Sequence, residues 1–168
     1  DGGRIAQWLS DYHLLQTAFQ FIDLVDELDF SDRPDGVIER VAGPAEVPAE
    51  QVLVVRAARL LATRTGCQRG VAIAVRKRIP IQGGLGGGSS NAATVLVALN
   101  ERWGLNLPED ELAQMGLALG ADVPVFIRGR SAWAEGVGEQ LTPVDFPETA
   151  CLVIRPDAAV STAEVFQA

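Results

Sequence analysis

Cysteine and histidine are nearly absent. Cys67 and Cys151 are the only cysteines, and His13 is the only histidine, in 168 residues. Two cysteines without a histidine cluster make neither a zinc site nor a disulfide framework, so no structural or catalytic metal site of protein ligands is expected. So low a thiol content suits a reducing cytoplasm. Positive charge is short as well: 14 lysines and arginines face 22 aspartates and glutamates, a net charge of −8. A general nucleic-acid binder carries a basic footprint, so nucleic acid is excluded as a partner. An anionic small ligand is not excluded, because one local site can oppose the global sign. Long apolar runs and a signal peptide are also missing, which predicts a soluble, cytoplasmic protein with no membrane partner. What is plentiful is hydrophobic: 48% of the residues, enough for a core and too many for wholesale disorder.

The length fits one domain of ordinary size or a domain with an appendage. Residues 14–30, "LLQTAFQFIDLVDELDF", mix alternation with apolar runs and predict mostly strand. "SDRPDG" at 31–36 is a turn cluster, and "VIERVAG" a short strand. The periodicity from Pro48 to Gly66 predicts a helix, with Pro48 in its first turn and Gly66 at its stop. "GVAIAVRKRIP" reads as a strand ending at Pro80. A helix is expected from about Ser90 to Trp103, and a second over "PEDELAQMGLALG", with acids in its first turn and Gly120 at its stop. "ADVPVFIRG" reads as a loop entering a strand, "SAWAEGVGEQLTPV" as a strand and turn, and "ACLVIRP" as a further strand. No internal repeat and no low-complexity linker interrupts this α+β pattern. The first residue is not methionine and the last lie within apparent structure, so a fragment is expected: a domain over 1–150, and the start of a second at 151–168.

The stretch that carries chemistry is "PIQGGLGGGSSNAATVLVALN", Pro80–Asn100. Five of the six residues from Gly83 to Gly88 are glycine, with Leu85 the exception, and Ser89 and Ser90 follow. Glycine lets a ligand approach the backbone without a Cβ in the way. Successive backbone N–H groups then form an anion-binding concavity, and the helix that follows adds free N–H groups and partial positive charge. The two serines are placed to cap that helix or to donate to an oxygen anion. A plain turn needs only one or two glycines. The motif is not a P-loop, because no lysine follows the last glycine. The dinucleotide fingerprint fails too: its last position falls on Ser89 or Asn91.

"P-x-x-x-G-L-G-G-G-S-S-N-A-A" resembles the phosphate loop of the galactokinase, homoserine kinase, mevalonate kinase and phosphomevalonate kinase superfamily. "DYHLLQTAFQFIDLVDEL", "LGADVPVF", "AEGVGEQLTP" and "VSTAEVF" extend the resemblance from about Tyr12 to the end. The combination is similar to the branch that acts on a cytidine diphosphate sugar-alcohol, in non-mevalonate isoprenoid precursor synthesis. The resemblance implies an α+β fold, with a mixed sheet packed against helices and a left-handed βαβ unit, against the usual right-handed rule. It implies ATP and Mg²⁺, with transfer of the γ-phosphoryl to the substrate's 2-hydroxyl. It places the phosphates on Pro80, Gly83, Gly84, Leu85, Gly86, Gly87, Gly88, Ser89 and Ser90, with Lys77 near the nucleotide. Asp122 in "GADVP" becomes the base that takes the hydroxyl proton. Without that context, Lys77 reads as a solvated strand end and Asp122 as a helix cap.

By the same resemblance, Tyr12 and His13 hold the cytosine, one offering a stacking face and the other ring nitrogens. Phe166 would close the sandwich from the other side, or else pack in the core. Trp8, Trp103 and Trp133 read as packing residues. A homodimer is compatible with the resemblance. The sequence departs from the family at its start. The family carries a lysine and an asparagine on a first strand, then a glycine before the Tyr-His pair. Here no lysine precedes Lys77, and Asp11 stands where the glycine would be. Arg4 is no substitute, since its rigid fork differs from a compact ammonium. Two readings follow: half of an active kinase, or a nucleotide-binding module without turnover.

Overall fold

Strand formation is strongest where the chain is most apolar and β-branched. In this computed structural model, which describes residues 16–44, 52–81, 83–136 and 138–154, that place is Gly70–Arg76. The elements in chain order are β1 (Thr17–Phe19), β2 (Glu27–Arg33), β3 (Ile38–Ala42), α1 (Leu53–Thr65), β4 (Gly70–Arg76), α2 (Gly87–Arg102), α3 (Glu109–Leu117), α4 (Val123–Arg128), β5 (Ala132–Glu135) and β6 (Gln140–Pro143). They fall into two compact units, one over 22–129 and the other over 1–21 with 130–168.

The larger unit holds a mixed sheet of order β2-β4-β3. Strand β4 is central, antiparallel to β2 (Phe30 opposite Ile73) and parallel to β3 (Ile38 opposite Val71). Central position requires apolar side chains, and Val71, Ile73 and Val75 are buried. Two adjacent parallel strands need a crossover, and α1 supplies it between β3 and β4. Val54, Val55, Ala57, Ala58 and Leu61 give α1 one apolar stripe. Gly66, at φ 70°, stops α1 where expected, and Cys67 N donates to Ala62 O at 3.0 Å. The core joins these residues to Ala92, Val95, Leu96 and Leu99 of α2, to Leu112 of α3 and to Val123 and Ile127 of α4. Trp103 belongs to that core too, at 5% exposure, as a packing residue.

The smaller unit holds an antiparallel sheet of order β1-β5-β6, in which β5 is the expected strand and β6 a second strand paired to it where only a turn was expected. Ala132 and Ala134 of β5 are buried while Trp133 between them is 38% exposed, the period of a strand with two unlike faces.

Four expectations need correction. The predicted strand over 14–30 is two short strands, with irregular backbone at 20–26, because its apolar run has no period of two. The predicted turn at 31–36 is shorter, since β2 continues to Arg33. "DVPVFIR" is not a strand: Val123–Arg128 is helical. Its β-branched residues suit a strand, yet Pro124 fits a helical first turn and Gly129, at φ 65°, closes the C-terminus. Packing against α2 and α3 overrides the local preference. Residues 150–154 form no strand, and Leu152 and Ile154 are exposed. Three element ends also differ: α1 starts at Leu53 with Val52 extended, β4 ends at Arg76 and not Pro80, and α3 ends at Leu117 and not Gly120; Pro48 itself lies outside the described residues.

Candidate functional site

The glycine run is only partly a loop. Helix α2 begins at Gly87, inside the run, with Gly86 at its N-cap in the left-handed region (φ 65°). Ser90 N already donates to Gly86 O at 2.8 Å. Ser89 and Ser90 therefore sit in the first turn, and no side chain caps the helix, which corrects their expected role as caps. Neighbours explain why glycine is tolerated here despite its poor helix propensity. A Cβ at Gly87 would lie 2.7 Å from Lys77 Nζ and 2.8 Å from Ile79 Cγ2. One at Gly86 would lie 2.7 Å from Cζ of Phe126. The backbone is thus pressed against side chains on one side and open on the other.

That open side faces a cavity of about 340 Å³. Lys77, Pro80, Gly83, Gly84, Leu85, Gly86, Gly87, Gly88 and Ser89 all line it; Ser90 does not. The turn into the run is held by Gly83 N donating to Pro80 O at 3.3 Å. Across from the glycines the wall is apolar, from Val52, Leu53 and Val54 at the start of α1 and Val75 of β4. Arg40, Pro44, Ile81 and Asn91 complete the lining. A cleft lined by apolar side chains and by glycine backbone suits a ligand with a flat apolar part and an anionic part.

Lys77 is not a solvated strand end. Its side chain is 18% exposed and its ammonium is paired with Asp26, whose side chain is 1% exposed. Asp26 accepts four hydrogen bonds: from Lys77 Nζ, from the backbone N–H groups of Arg78 and Ile79 at 2.8 Å each, and from Asn91 Nδ2 at 3.0 Å. Burial alone pushes its pKa up, but the bonds from Lys77, Ile79, Arg78 and Asn91 together outweigh that and hold it below the ordinary carboxylate value. The sequence reading missed Asp26. It lies 51 residues before Lys77, and nothing local distinguishes it from Asp23. The only available signal was an acid within an apolar segment, "FIDLVDEL".

Asp122 is the residue just before α4. Its side chain makes no cap hydrogen bond, so the helix-cap reading fails. It is half-buried, burial raises its pKa, and among the described residues nothing donates to it. A desolvated carboxylate without a partner is a competent proton acceptor. Two contacts tie its segment to the glycine run. Phe126 packs on Gly86, and a Cβ at Gly120 would lie 3.8 Å from Ser89 Oγ. Among the described residues no cluster of three acidic, histidine or cysteine side chains could hold a metal, and no helix is long and apolar enough to cross a membrane. Tyr12, His13 and Phe166 lie outside the described residues.

The profile of the GHMP kinases N terminal domain matches residues 52–130, which contain α1, β4, the glycine run and Asp122. Residues 52–130 therefore carry a GHMP kinases N terminal domain. Two similar relatives are the 4-diphosphocytidyl-2-C-methyl-D-erythritol kinases of Alkalilimnicola ehrlichii and Nitrosococcus oceani. The first is 61% identical over 94% of this chain and 54% of its own length. The second is 59% identical over 92% of this chain and 55% of its own length. A crystal structure of 4-(cytidine 5'-diphospho)-2C-methyl-D-erythritol kinase superposes with a TM-score of 0.71 at 40% identity. The match covers 82% of this chain and 48% of that one. The chain thus has the GHMP kinase N-terminal fold, and it spans about half the length of the curated relatives it matches.

Proposed function

We propose that this chain is the nucleotide-binding part of an ATP-dependent kinase that phosphorylates the 2-hydroxyl of 4-diphosphocytidyl-2-C-methyl-D-erythritol. In this reading residues 1–150 form the ATP-binding domain, and 151–168 begin a second domain. The observation that carries it is the cavity in which Lys77, the only lysine of the chain, meets the backbone of Gly83–Gly88. The Lys77 ammonium spends one proton on Asp26, and among the described residues its other two have no acceptor. Those donors, the glycine N–H groups and the N-terminus of α2 fit the phosphates of a nucleotide. The apolar wall fits its base.

Phosphoryl transfer is mainly positioning and charge neutralisation. Lys77 and the glycine backbone hold the phosphates, and Asp122 accepts the proton of the attacking hydroxyl. Mg²⁺ would supply further neutralisation of phosphate charge. It keeps phosphate and water ligands in such sites, so the lack of an acidic cluster among the described residues does not conflict with it. Tyr12, His13 and Phe166 are the proposed cytosine contacts. A site that reads a base edge discriminates strongly. The cytidine substrate is therefore expected to be preferred over its uridine analogue in a turnover assay, and equal use of both would remove His13 from that role.

The loop itself is tested by Gly86→Val. The new side chain would strain a φ of 65° and meet Phe126. ATP affinity measured by titration is expected to fall at least about tenfold, the loss of one or more charge-assisted contacts. Unchanged affinity would show that the phosphates bind elsewhere.

A further inference from the structure

Asp26 does more than fill a buried position. Its two carboxylate oxygens divide the work. Oδ1 accepts the backbone N–H groups of Arg78 and Ile79, at 2.8 Å each, where the chain leaves β4. Oδ2 accepts Lys77 Nζ and, at 3.0 Å, Asn91 Nδ2 from α2. All of its acceptor capacity is thereby used, so Asp26 has nothing left for a ligand. Lys77 is held differently. It is pressed against Gly87, at the positive end of α2, where a cation is disfavoured. A flexible four-carbon stem would swing such an ammonium out to solvent unless something held it. Asp26 is the counter-charge that keeps it at the cavity wall, with donors to spare.

We propose that Asp26 is a positioning residue for the nucleotide, acting on the phosphates through Lys77. The inference rests on the cavity being the nucleotide site. Asp26→Asn separates the two oxygens' roles. The asparagine oxygen can still serve the backbone N–H groups, while its amide N–H₂ would face Lys77 and Asn91, both donors. The lysine is then released with little change in shape.

The test uses the full chain. ATP and adenosine are titrated against the wild type, D26N, Lys77→Met and the double variant, with thermal melts as a fold control. Because Lys77 is the only lysine, ε-¹³C-lysine labelling gives one reporter resonance from its side chain. D26N is expected to weaken ATP about tenfold or more, with less than about threefold effect on adenosine. The ATP-induced shift of the lysine resonance is expected to shrink in D26N. In the K77M background, D26N should change ATP affinity less than about twofold, since its route to the nucleotide is already gone. Wild-type ATP affinity in D26N, with an unaltered lysine shift, would overturn the positioning role and leave the nucleotide site standing. Absence of ATP binding to the wild type would overturn both. If D26N fails to fold, K77M and the double variant decide. Equal affinities support the route through Lys77, and a tenfold further loss in the double variant defeats it.

Discussion

Two carboxylates in the same unit are held in opposite states by their surroundings. Asp26 is surrounded by donors, which outweigh its burial and hold its pKa below the ordinary carboxylate value. Asp122 is desolvated without donors, which favours its protonated form. Their contributions to stability therefore run in opposite directions with pH. Asp26 has a folded pKa below its unfolded value, so its contribution is present above the unfolded pKa and is lost as pH falls through the folded one. Asp122 has a folded pKa above its unfolded value. The unfolded chain ionises first as pH rises, so stability falls across the interval between the two values and stays lower above it. Asp122→Asn is therefore expected to be more stable than the wild type at pH 7, by about 0.5–1 kcal/mol, the half-exposed position keeping the figure small. Near pH 3, where both forms are neutral, the two proteins should melt together. Melting curves at both pH values check this, and a destabilised variant at pH 7 would mean that Asp122 has a partner among residues beyond those described. If Asp122 is the proton acceptor, as proposed, the same substitution is expected to reduce phosphoryl transfer about 10²–10⁴-fold.

At the scale of elements, what was legible depended on whether the deciding force was local. The body of helix α1 with its Gly66 stop, the body of strand β4 and strand β5 follow from periodicity, caps and turns, while α1 starts at Leu53 rather than Pro48, β4 ends at Arg76 rather than Pro80, and β6 adds a strand where only a turn was expected. Helix α4 was misread because six residues are too few for a helical period, and its β-branched composition points the other way. The start of α2 was placed three residues late, at Ser90 rather than Gly87. Propensity argues against helix at Gly87 and Gly88, and only the tertiary packing of Lys77, Ile79 and Leu53 against those glycines makes the early start favourable. The glycine run and Lys77 were legible as a site because their chemistry is contiguous or nearly so. Asp26 was not, because its partners come from two distant segments, Lys77–Ile79 and Asn91, brought to it only by folding. The phosphate loop and the segment of Asp122 are likewise coupled through Phe126, whose contact with Gly86 has no mark in the sequence.

At the scale of the whole molecule, binding and turnover draw on different parts, which separates them experimentally. In the proposed reading, nucleotide binding uses the backbone of Gly83–Gly88 and Lys77, all within the unit over 22–129. Turnover also needs charge neutralisation beside the proton acceptor, and here the chain is poor in suitable groups. Its only lysine is committed to Asp26 and the cavity, and among the described residues no cation is paired with Asp122. Arginine cannot replace a compact ammonium at such a point without changing the geometry. Removing one preorganised charge stabiliser from a phosphoryl- or acyl-transfer site costs about 10²–10³ in rate. The 168-residue chain, which spans about half the length of its relatives, is therefore expected to bind ATP with ordinary affinity. Its phosphorylation of the diphosphocytidyl substrate should be slower than that of a full-length relative by at least that factor. Titration with ATP and a turnover assay on the same preparation separate the two quantities. Turnover equal to that of the relatives would show that the charge beside Asp122 is supplied by another group, outside the described residues. Loss of ATP binding would instead remove the nucleotide site from the glycine run.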